Sequence, residues 1–130
     1  PTEIKATLKA AAQVKTGRVI SVFQPHRYTR TAILGERFGE AFKDADLIIV
    51  SDLYSAGESP IEGVSAKTII SAIERHDGRE VIYLPTQTEI VDFLVRTVNP
   101  GDMVLTMGAG DIWNAGVKLV ARLKECQDIG

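Results

Sequence analysis

Short apolar runs alternate along the chain with segments whose apolar residues recur at helical spacing. The apolar runs predict strands at residues 18–23, 47–50, 80–84 and 103–107. The periodic segments predict helices at residues 1–12, 31–42, 65–75 and 90–98 and from residue 112 onward. This alternation predicts an α/β fold, a Rossmann-like three-layer sandwich with a mostly parallel sheet flanked by helices. Leu47-Ile48-Ile49-Val50 is apolar throughout, which is typical of a central strand covered on both faces.

Several element boundaries carry signals of their own. Ser65 is suited to cap the third helix, and Thr86 to Glu89 has the spacing of a capping box before the fourth. Asn99-Pro100-Gly101-Asp102 is a strong turn signal. Residues 51–63 form the longest polar connection, and connections of that length often carry function.

A strand order of 3-2-1-4 would reverse the winding direction of the sheet between the first and fourth strands. A crevice opens at such a reversal, outside the carboxyl ends of the strands. Residues 24–31 and 108–111 would line it, and residues 54–60 would follow the neighbouring second strand. We therefore expect all three connections at one edge of the sheet.

Composition narrows the class of protein. With 45% hydrophobic residues, the chain is predicted to be a single domain, 1–130, with a core of its own. The formal net charge of −2 excludes the general basic field that nucleic-acid binding needs, so any anion would be bound locally. No stretch has the length and apolarity of a membrane span, so we expect a cytoplasmic protein with no membrane partner. Cys126, the single cysteine, is interpreted as a small buried or incidental thiol in a reducing compartment.

The densest cluster of chemically active side chains lies in the first strand-to-helix turn, which carries His26, Arg27 and Arg30. A guanidinium group can hold a carboxylate or phosphate through two parallel charge-assisted hydrogen bonds, and a nearby histidine can donate another. Unpaired N–H groups at the start of the helix would add positive potential. The alternative is a solvated loop whose arginines pair with helix acids such as Glu36 or Glu40.

Two other connections are candidate cleft-lining segments. Gly108-Ala109-Gly110-Asp111 permits close approach of a ligand, although a tight turn with Asp111 as helix cap also explains it. Tyr54 and Glu58 lie in the long loop, which either closes over a substrate or is a surface connection without a functional role.

Several kinds of catalysis lack support in this sequence. Two histidines fifty positions apart and one distant cysteine predict no metal site, and there is no nucleophile elbow. No Gly-x-x-x-x-Gly-Lys-Ser/Thr loop is present, so we expect the domain to have no ATP-hydrolysing site of its own. His76 is explained by the helix end at Asp77-Gly78, and Trp113 by packing.

The chain resembles the carboxy-terminal domain of the Mur ligases of bacterial peptidoglycan synthesis. The resemblance covers essentially all of it and lies in the following motifs: Pro1-Thr2-Glu3-Ile4, Phe23-Gln24-Pro25-His26-Arg27-Tyr28-Thr29-Arg30-Thr31, Tyr54-Ser55-Ala56-Gly57-Glu58, Pro60-Ile61 and Gly108-Ala109-Gly110-Asp111-Ile112. It points in particular to the members that join L-alanine to UDP-N-acetylmuramate.

The resemblance implies a division of labour. The amino-terminal domain would bind the UDP-sugar, the central domain would carry the phosphate-binding loop and the Mg²⁺ sites, and this chain would close over the reaction. ATP would phosphorylate the muramate carboxyl group, and the amine of L-alanine would attack the acyl phosphate. By matching position, His26, Arg27 and Arg30 would hold the carboxylate of alanine or of the product. Tyr54 and Glu58 would lie toward the nucleotide, and Gly108, Gly110 and Asp111 toward the amino acid.

We expect the fragment alone to be inactive and to bind no cofactor tightly, because ATP and Mg²⁺ would be held mainly by the central domain. Two alternatives stay open. One is a free-standing Rossmann-like module that binds a small anion. The other is a nicotinamide-dependent oxidoreductase, although Gln24-Pro25-His26 stands where that class has its glycine fingerprint.

Overall fold

A computed structural model describes residues 1–129, with side chains through Cys126. The strands are β1 (Val19–Phe23), β2 (Leu47–Val50), β3 (Ile82–Tyr83) and β4 (Met103–Met107). The helices are α1 (Thr2–Val14), α2 (Tyr28–Leu34), α3 (Ala66–Asp77), α4 (Gln87–Thr97) and α5 (Trp113–Ile129), with a 3₁₀ helix at Gly35–Glu40. The strands form one sheet in the order β3-β2-β1-β4, and each neighbouring pair is parallel. The predicted fold class is confirmed, and the strand order is the one under which we expected a crevice.

The sheet separates two apolar cores, because β1 alternates its side chains between the two faces. Val19 and Phe23 pack with α1, α3 and the 3₁₀ helix, whereas Ile20 and Val22 pack with α4 and α5. All five residues of β1 are buried. Burial on both faces makes this strand the rigid centre from which the connections at its carboxyl end project.

The predicted helix starts are confirmed at two positions. The Ser65 hydroxyl accepts a hydrogen bond from the Lys67 N–H. The Ser65 N–H in turn donates to the Thr68 hydroxyl, which completes a capping box. Thr86 accepts the Glu89 N–H at the start of α4. Both caps satisfy helix donors that would otherwise have no partner.

The predicted helix at residues 31–42 is wrong in its bounds and its type. α2 begins earlier, at Tyr28, and the chain changes to 3₁₀ winding from Gly35. Gly35 and Gly39 allow this segment to lie very close to α3: a Cβ added at Gly39 would lie 2.7 Å from the Ala72 carbonyl oxygen. The predicted strand at 80–84 is also too long, because only Ile82 and Tyr83 pair with β2.

A polar cluster fastens the amino-terminal edge of the sheet. Asp102, whose side chain is 4% exposed, accepts the N–H groups of Arg18 and Asn99 and binds the Arg18 guanidinium at 2.8 Å. The Arg18 side-chain bond, followed by the two backbone bonds, lowers the pKa of Asp102 to about 2. The predicted turn at residues 99–102 is thereby joined to the start of β1.

One expectation about a single residue is wrong. Trp113, expected to serve in packing, is 61% exposed at the start of α5. Cys126, expected to be a buried or incidental thiol, is exposed, so the buried option is excluded and the incidental one stays. Among the described helices, none combines the length and apolarity needed to cross a bilayer.

Candidate functional site

The connections that follow β1, β2 and β4 leave the sheet at one edge. Phe23, the last residue of β1, is in register with Val50 of β2 and Met107 of β4. Chain continuity therefore carries residues 24–28, 51–64 and 108–112 to the same side of the molecule. The three predicted segments lie together there, as parallel pairing requires.

Tyr54 joins the long loop to the first turn. Its N–H donates to the Pro25 carbonyl at 2.8 Å, and its carbonyl accepts the Arg27 N–H at 2.7 Å. This pair of bonds forms an isolated parallel bridge between Tyr54 and His26. The two rings also stack, with centroids 5.7 Å apart and planes 13° apart. His26 and Tyr54 therefore hold each other in place through backbone and side chain.

The Glu58 side chain, from the long loop, binds the first turn of α2. Its carboxylate accepts the Thr29 hydroxyl at 2.6 Å and the Thr29 N–H at 3.1 Å. These bonds, with that to the hydroxyl the strongest, hold the pKa of Glu58 below its usual value. The N–H groups at this helix start were predicted to bind an external anion. One of them, that of Thr29, instead donates to an internal carboxylate.

The glycine turn after β4 packs tightly against the end of β1. A Cβ added at Gly110 would lie 2.6 Å from the Gln24 Oε1 and 2.9 Å from the Tyr54 Cγ. Gly108 has a φ of 149°, and a Cβ there would lie 2.9 Å from the Gln24 carbonyl oxygen. Both positions require glycine because neighbouring atoms fill the space where a side chain would begin.

Asp111 does not cap α5 through its side chain, contrary to the structural alternative considered above. Its carboxylate accepts the Gln24 Nε2 at 3.0 Å, and its carbonyl accepts the Gln87 Nε2 at 2.9 Å. Gln24 is only 7% exposed, and its Oε1 is buried without a hydrogen-bond partner among the described residues. Asp111 is therefore a bridge between the ends of β1 and β4, and it also binds α4.

The two arginines of the first turn lack acidic partners. Among the side chains that the structure describes, neither Arg27 nor Arg30 forms a salt bridge, and both are exposed. Glu36, a partner in the solvated-loop alternative, binds Arg75 and His76 instead, and those bonds lower its pKa. His76 is thus explained by this ion pair as well as by its helix end.

A groove of about 550 Å³ opens beside Arg30. Its apolar floor is contributed by Ile4, Phe23, Phe38, Ile69 and Met107, and its rim by Glu3, Thr7, Gln24, His26, Arg30, Thr31, Gly108 and Ala109. Glu3 and Thr7 were not predicted, because α1 reaches this edge only through tertiary packing and its sequence carries no local signal. Gln24, Thr29 and Thr31 lie in the predicted turn, but their roles depend on partners distant in sequence.

Fold and site together define a Rossmann-like α/β domain with a groove beside Arg30 at the carboxyl edge of its sheet. Residues 1–110 match the family described as "Mur ligase, glutamate ligase domain". The chain belongs to this family, the C-terminal domain of the Mur ligases.

Two curated relatives share one name. The chain is 77% identical over its full length to the UDP-N-acetylmuramate–L-alanine ligase of Pelotomaculum thermopropionicum, of which it covers 28%. It is 52% identical to the protein of that name from Desulforamulus reducens, with 96% of the chain and 27% of the relative covered. The chain therefore spans about a quarter of the length of these relatives.

One solved structure shares the fold. It is described as a domain from a UDP-N-acetylmuramate:L-alanyl-gamma-D-glutamyl-diaminopimelate ligase of Haemophilus ducreyi, and it superposes with a TM-score of 0.62. The match covers 95% of this chain and 83% of that one at 22% identity. At this identity the likeness shows the fold alone.

Proposed function

We propose that this chain is the C-terminal, substrate-closing domain of a cytoplasmic, ATP-dependent ligase that joins L-alanine to UDP-N-acetylmuramate in bacterial peptidoglycan synthesis. Its own contribution is a carboxylate clamp formed by His26, Arg27 and Arg30. The names of the relatives support the reaction, and the family supports the role of the domain. The amino-terminal and central domains of the same ligase would be its partners.

The observation that carries the clamp is the pair of arginines without acidic partners at the edge of the sheet. A guanidinium group that has no internal carboxylate is available to an external one, and its planar donors match a carboxylate in two parallel bonds. Arg30 lies on the same groove as His26 and Gly108. An amino acid bound there would place its carboxylate against Arg30 and its remaining atoms near the glycine turn, whereas Arg27 is outside the lining of this groove and would reach the carboxylate from the adjoining turn.

The residues described here do not fit ATP or Mg²⁺. The searched side chains contain no group of three or more His, Cys, Asp or Glu residues placed to hold a metal ion, and the sequence has no phosphate-binding loop. In the complete ligase, ATP would supply the phosphoryl group that activates the muramate carboxyl. The part played by this chain is to bind and orient the amino acid and to exclude water when the domains close.

We expect the purified 130-residue chain neither to hydrolyse ATP nor to ligate alanine, because it lacks the phosphate-binding loop. A phosphate-release assay and a coupled ligation assay, each with the full-length ligase as positive control, test this. ATP-dependent alanine ligation by the chain alone would contradict the division of labour.

We expect Arg27→Ala and Arg30→Ala, each made in the full-length ligase, to raise the KM for alanine by about 10-fold to 30-fold, as loss of a charge-assisted hydrogen bond does. The KM for ATP should change little. Arg75→Ala is the matched control, because Arg75, on α3, is also an exposed arginine but pairs with Glu36 of the 3₁₀ helix. Alanine kinetics that are unchanged in both variants would remove the clamp.

A free-standing anion-binding module is the second candidate, because the groove beside Arg30 is formed by this domain without the rest of a ligase. Titration of the isolated chain with alanine, UDP-N-acetylmuramate and ATP separates the two. Tight binding by the chain alone favours the module, whereas weak binding favours a clamp completed by the other domains. The family gives no support to the oxidoreductase alternative.

A further inference from the structure

We propose that residues 54–58, here called the strap, position Arg27 for ligand binding, with Glu58 as the residue that fastens the strap to α2. This inference rests on the proposed carboxylate clamp. It assigns Glu58 to positioning rather than to contact with the substrate.

The backbone of Arg27 adopts a positive φ angle, which is unfavourable for any residue that has a Cβ atom. Arg27 has φ 65° and ψ 143° at the residue that precedes α2. Within the described residues, only Arg27 and Ala56 combine positive φ with a side chain, and Ala56 belongs to the strap. Residues without glycine's freedom remain in this region only when the surrounding structure holds them there.

The strap makes the contacts that hold Arg27. The Arg27 N–H donates to the Tyr54 carbonyl at 2.7 Å, which fixes the peptide immediately before the unusual φ angle. On the other side of Arg27, the Glu58 carboxylate accepts both the N–H and the hydroxyl of Thr29. Arg27 is therefore held from both sides by one short segment of chain.

The strap is in turn supported by the glycine turn. The Tyr54 ring stacks on His26 and lies so close to Gly110 that an added Cβ would be 2.9 Å from its Cγ. The Glu58 N–H donates to the Ser55 carbonyl at 3.1 Å, which closes a turn inside the strap. The segment thus has a fixed shape, and the Arg27 Cα–Cβ direction follows from it.

If the strap is released, the backbone of Arg27 can relax to negative φ. The guanidinium would then leave the direction it has in this structure, although Arg27 itself is unchanged. Loss of Glu58 should therefore imitate part of the loss of Arg27.

The test compares Glu58→Ala with Glu58→Gln in the full-length ligase. We expect Glu58→Ala to raise the KM for alanine about 5-fold to 10-fold with kcat within about 2-fold, because one oriented charged contact is partly lost. Glu58→Gln should stay within about 3-fold of the unaltered enzyme, because its amide oxygen still accepts from Thr29. If the Glu58 charge merely repelled the substrate carboxylate, both variants would lower the KM, and that result would overturn the proposal.

A double-mutant cycle with Arg27→Ala shows whether Glu58 acts through Arg27. We expect Glu58→Ala to add less than about 2-fold to the KM in the Arg27→Ala background, because the two changes share one interaction. If the fold-change in KM of the double variant equals the product of the two single fold-changes, Glu58 acts independently of Arg27, and the inference is overturned. If instead Arg27→Ala and Arg30→Ala both leave alanine kinetics unchanged, the clamp fails, whereas an effect of Arg30→Ala with none of Arg27→Ala overturns the strap inference alone.

Hydrogen exchange supplies a readout apart from activity. In Glu58→Ala the Thr29 amide should exchange at least about 10-fold faster, because its acceptor is gone, while the capped amides of Lys67 and Glu89 keep their rates. An unchanged Thr29 rate would show that Glu58 does not fasten α2, and the inference would be wrong.

Discussion

Asp102→Ala is expected to lower the free energy of unfolding of this chain by about 1–3 kcal/mol, because two backbone N–H groups would lose their acceptor and the Arg18 guanidinium, itself 38% exposed, would lose its partner. The Asp102 carboxylate is 4% exposed and accepts two backbone N–H groups besides the Arg18 guanidinium. Its removal leaves those donors without partners at the start of β1. Urea denaturation followed by circular dichroism measures the loss.

The same ion pair should make stability depend on acid. The folded-state pKa of Asp102 is lowered to about 2, whereas an unfolded aspartate titrates near 4. A lowered folded pKa means that the contribution of this carboxylate is complete above the unfolded pKa and is lost as the pH falls from about 4 toward 2. The difference in unfolding free energy between the unaltered chain and Asp102→Asn should therefore shrink across that window.

Asp92→Ala is the matched control, because Asp92 pairs with Arg122 at 2.9 Å on the surface, with both side chains about half exposed. Surface pairs of this kind contribute little to stability. Equal losses for Asp92→Ala and Asp102→Ala, or a pH-independent difference for Asp102→Asn, would show that the amino-terminal edge is not fastened by this carboxylate.

Gly39→Ala is expected to destabilise the chain by about 3 kcal/mol, the upper part of the usual range for overpacking. The added Cβ would lie 2.5 Å from the His76 Cδ2 and 2.7 Å from the Ala72 carbonyl oxygen. The second contact is with helix backbone, which cannot rotate away as a side chain can. The 3₁₀ helix would have to lift from α3, and α2 with Arg30 is continuous with it.

Gly116→Ala provides the control for this substitution. Gly116 lies within α5, and its nearest neighbour to an added Cβ is the Thr106 Cγ2 at 3.6 Å, an ordinary contact. Replacing a helical glycine by alanine there should stabilise the chain by about 0.5–1 kcal/mol. Thermal unfolding of both variants gives the comparison, and a Gly39→Ala variant as stable as the unaltered chain would refute the close approach of the 3₁₀ helix to α3.

The two edges of the sheet differ in how their charged side chains are paired. At the amino-terminal edge, Asp102 and Arg18 neutralise each other and their donors are used internally. At the carboxyl edge, Arg27 and Arg30 have no described acidic partner, and the only carboxylate at the start of α2 belongs to Glu58. Charge is paired within the fold at one edge, whereas at the other the two arginines form no salt bridge with the side chains that the structure describes.

Periodicity and turn chemistry were sufficient for the fold class and the helix caps at Ser65 and Thr86, whereas the strand order was considered only as a condition. They failed at residues 31–42, where apolar spacing predicted one α-helix and close contact with α3 imposes 3₁₀ winding from Gly35. They also misjudged Asp111, whose side chain was considered as a helix cap. Its partner, Gln24, is 87 positions away, so no local pattern reveals the bond.

Sequence alone determined which chemistry is available and at which edge of the sheet it lies. Arginine, histidine and glycine in connections that follow parallel strands must meet there, because strand direction and residue type are local properties of the chain. Tertiary structure alone decided how those groups are used: Glu58 fills the start of α2, Tyr54 holds Arg27 at positive φ, and α1 completes the groove. Such outcomes depend on contacts of a few ångströms between segments distant in sequence, and those distances are fixed only when the two cores pack.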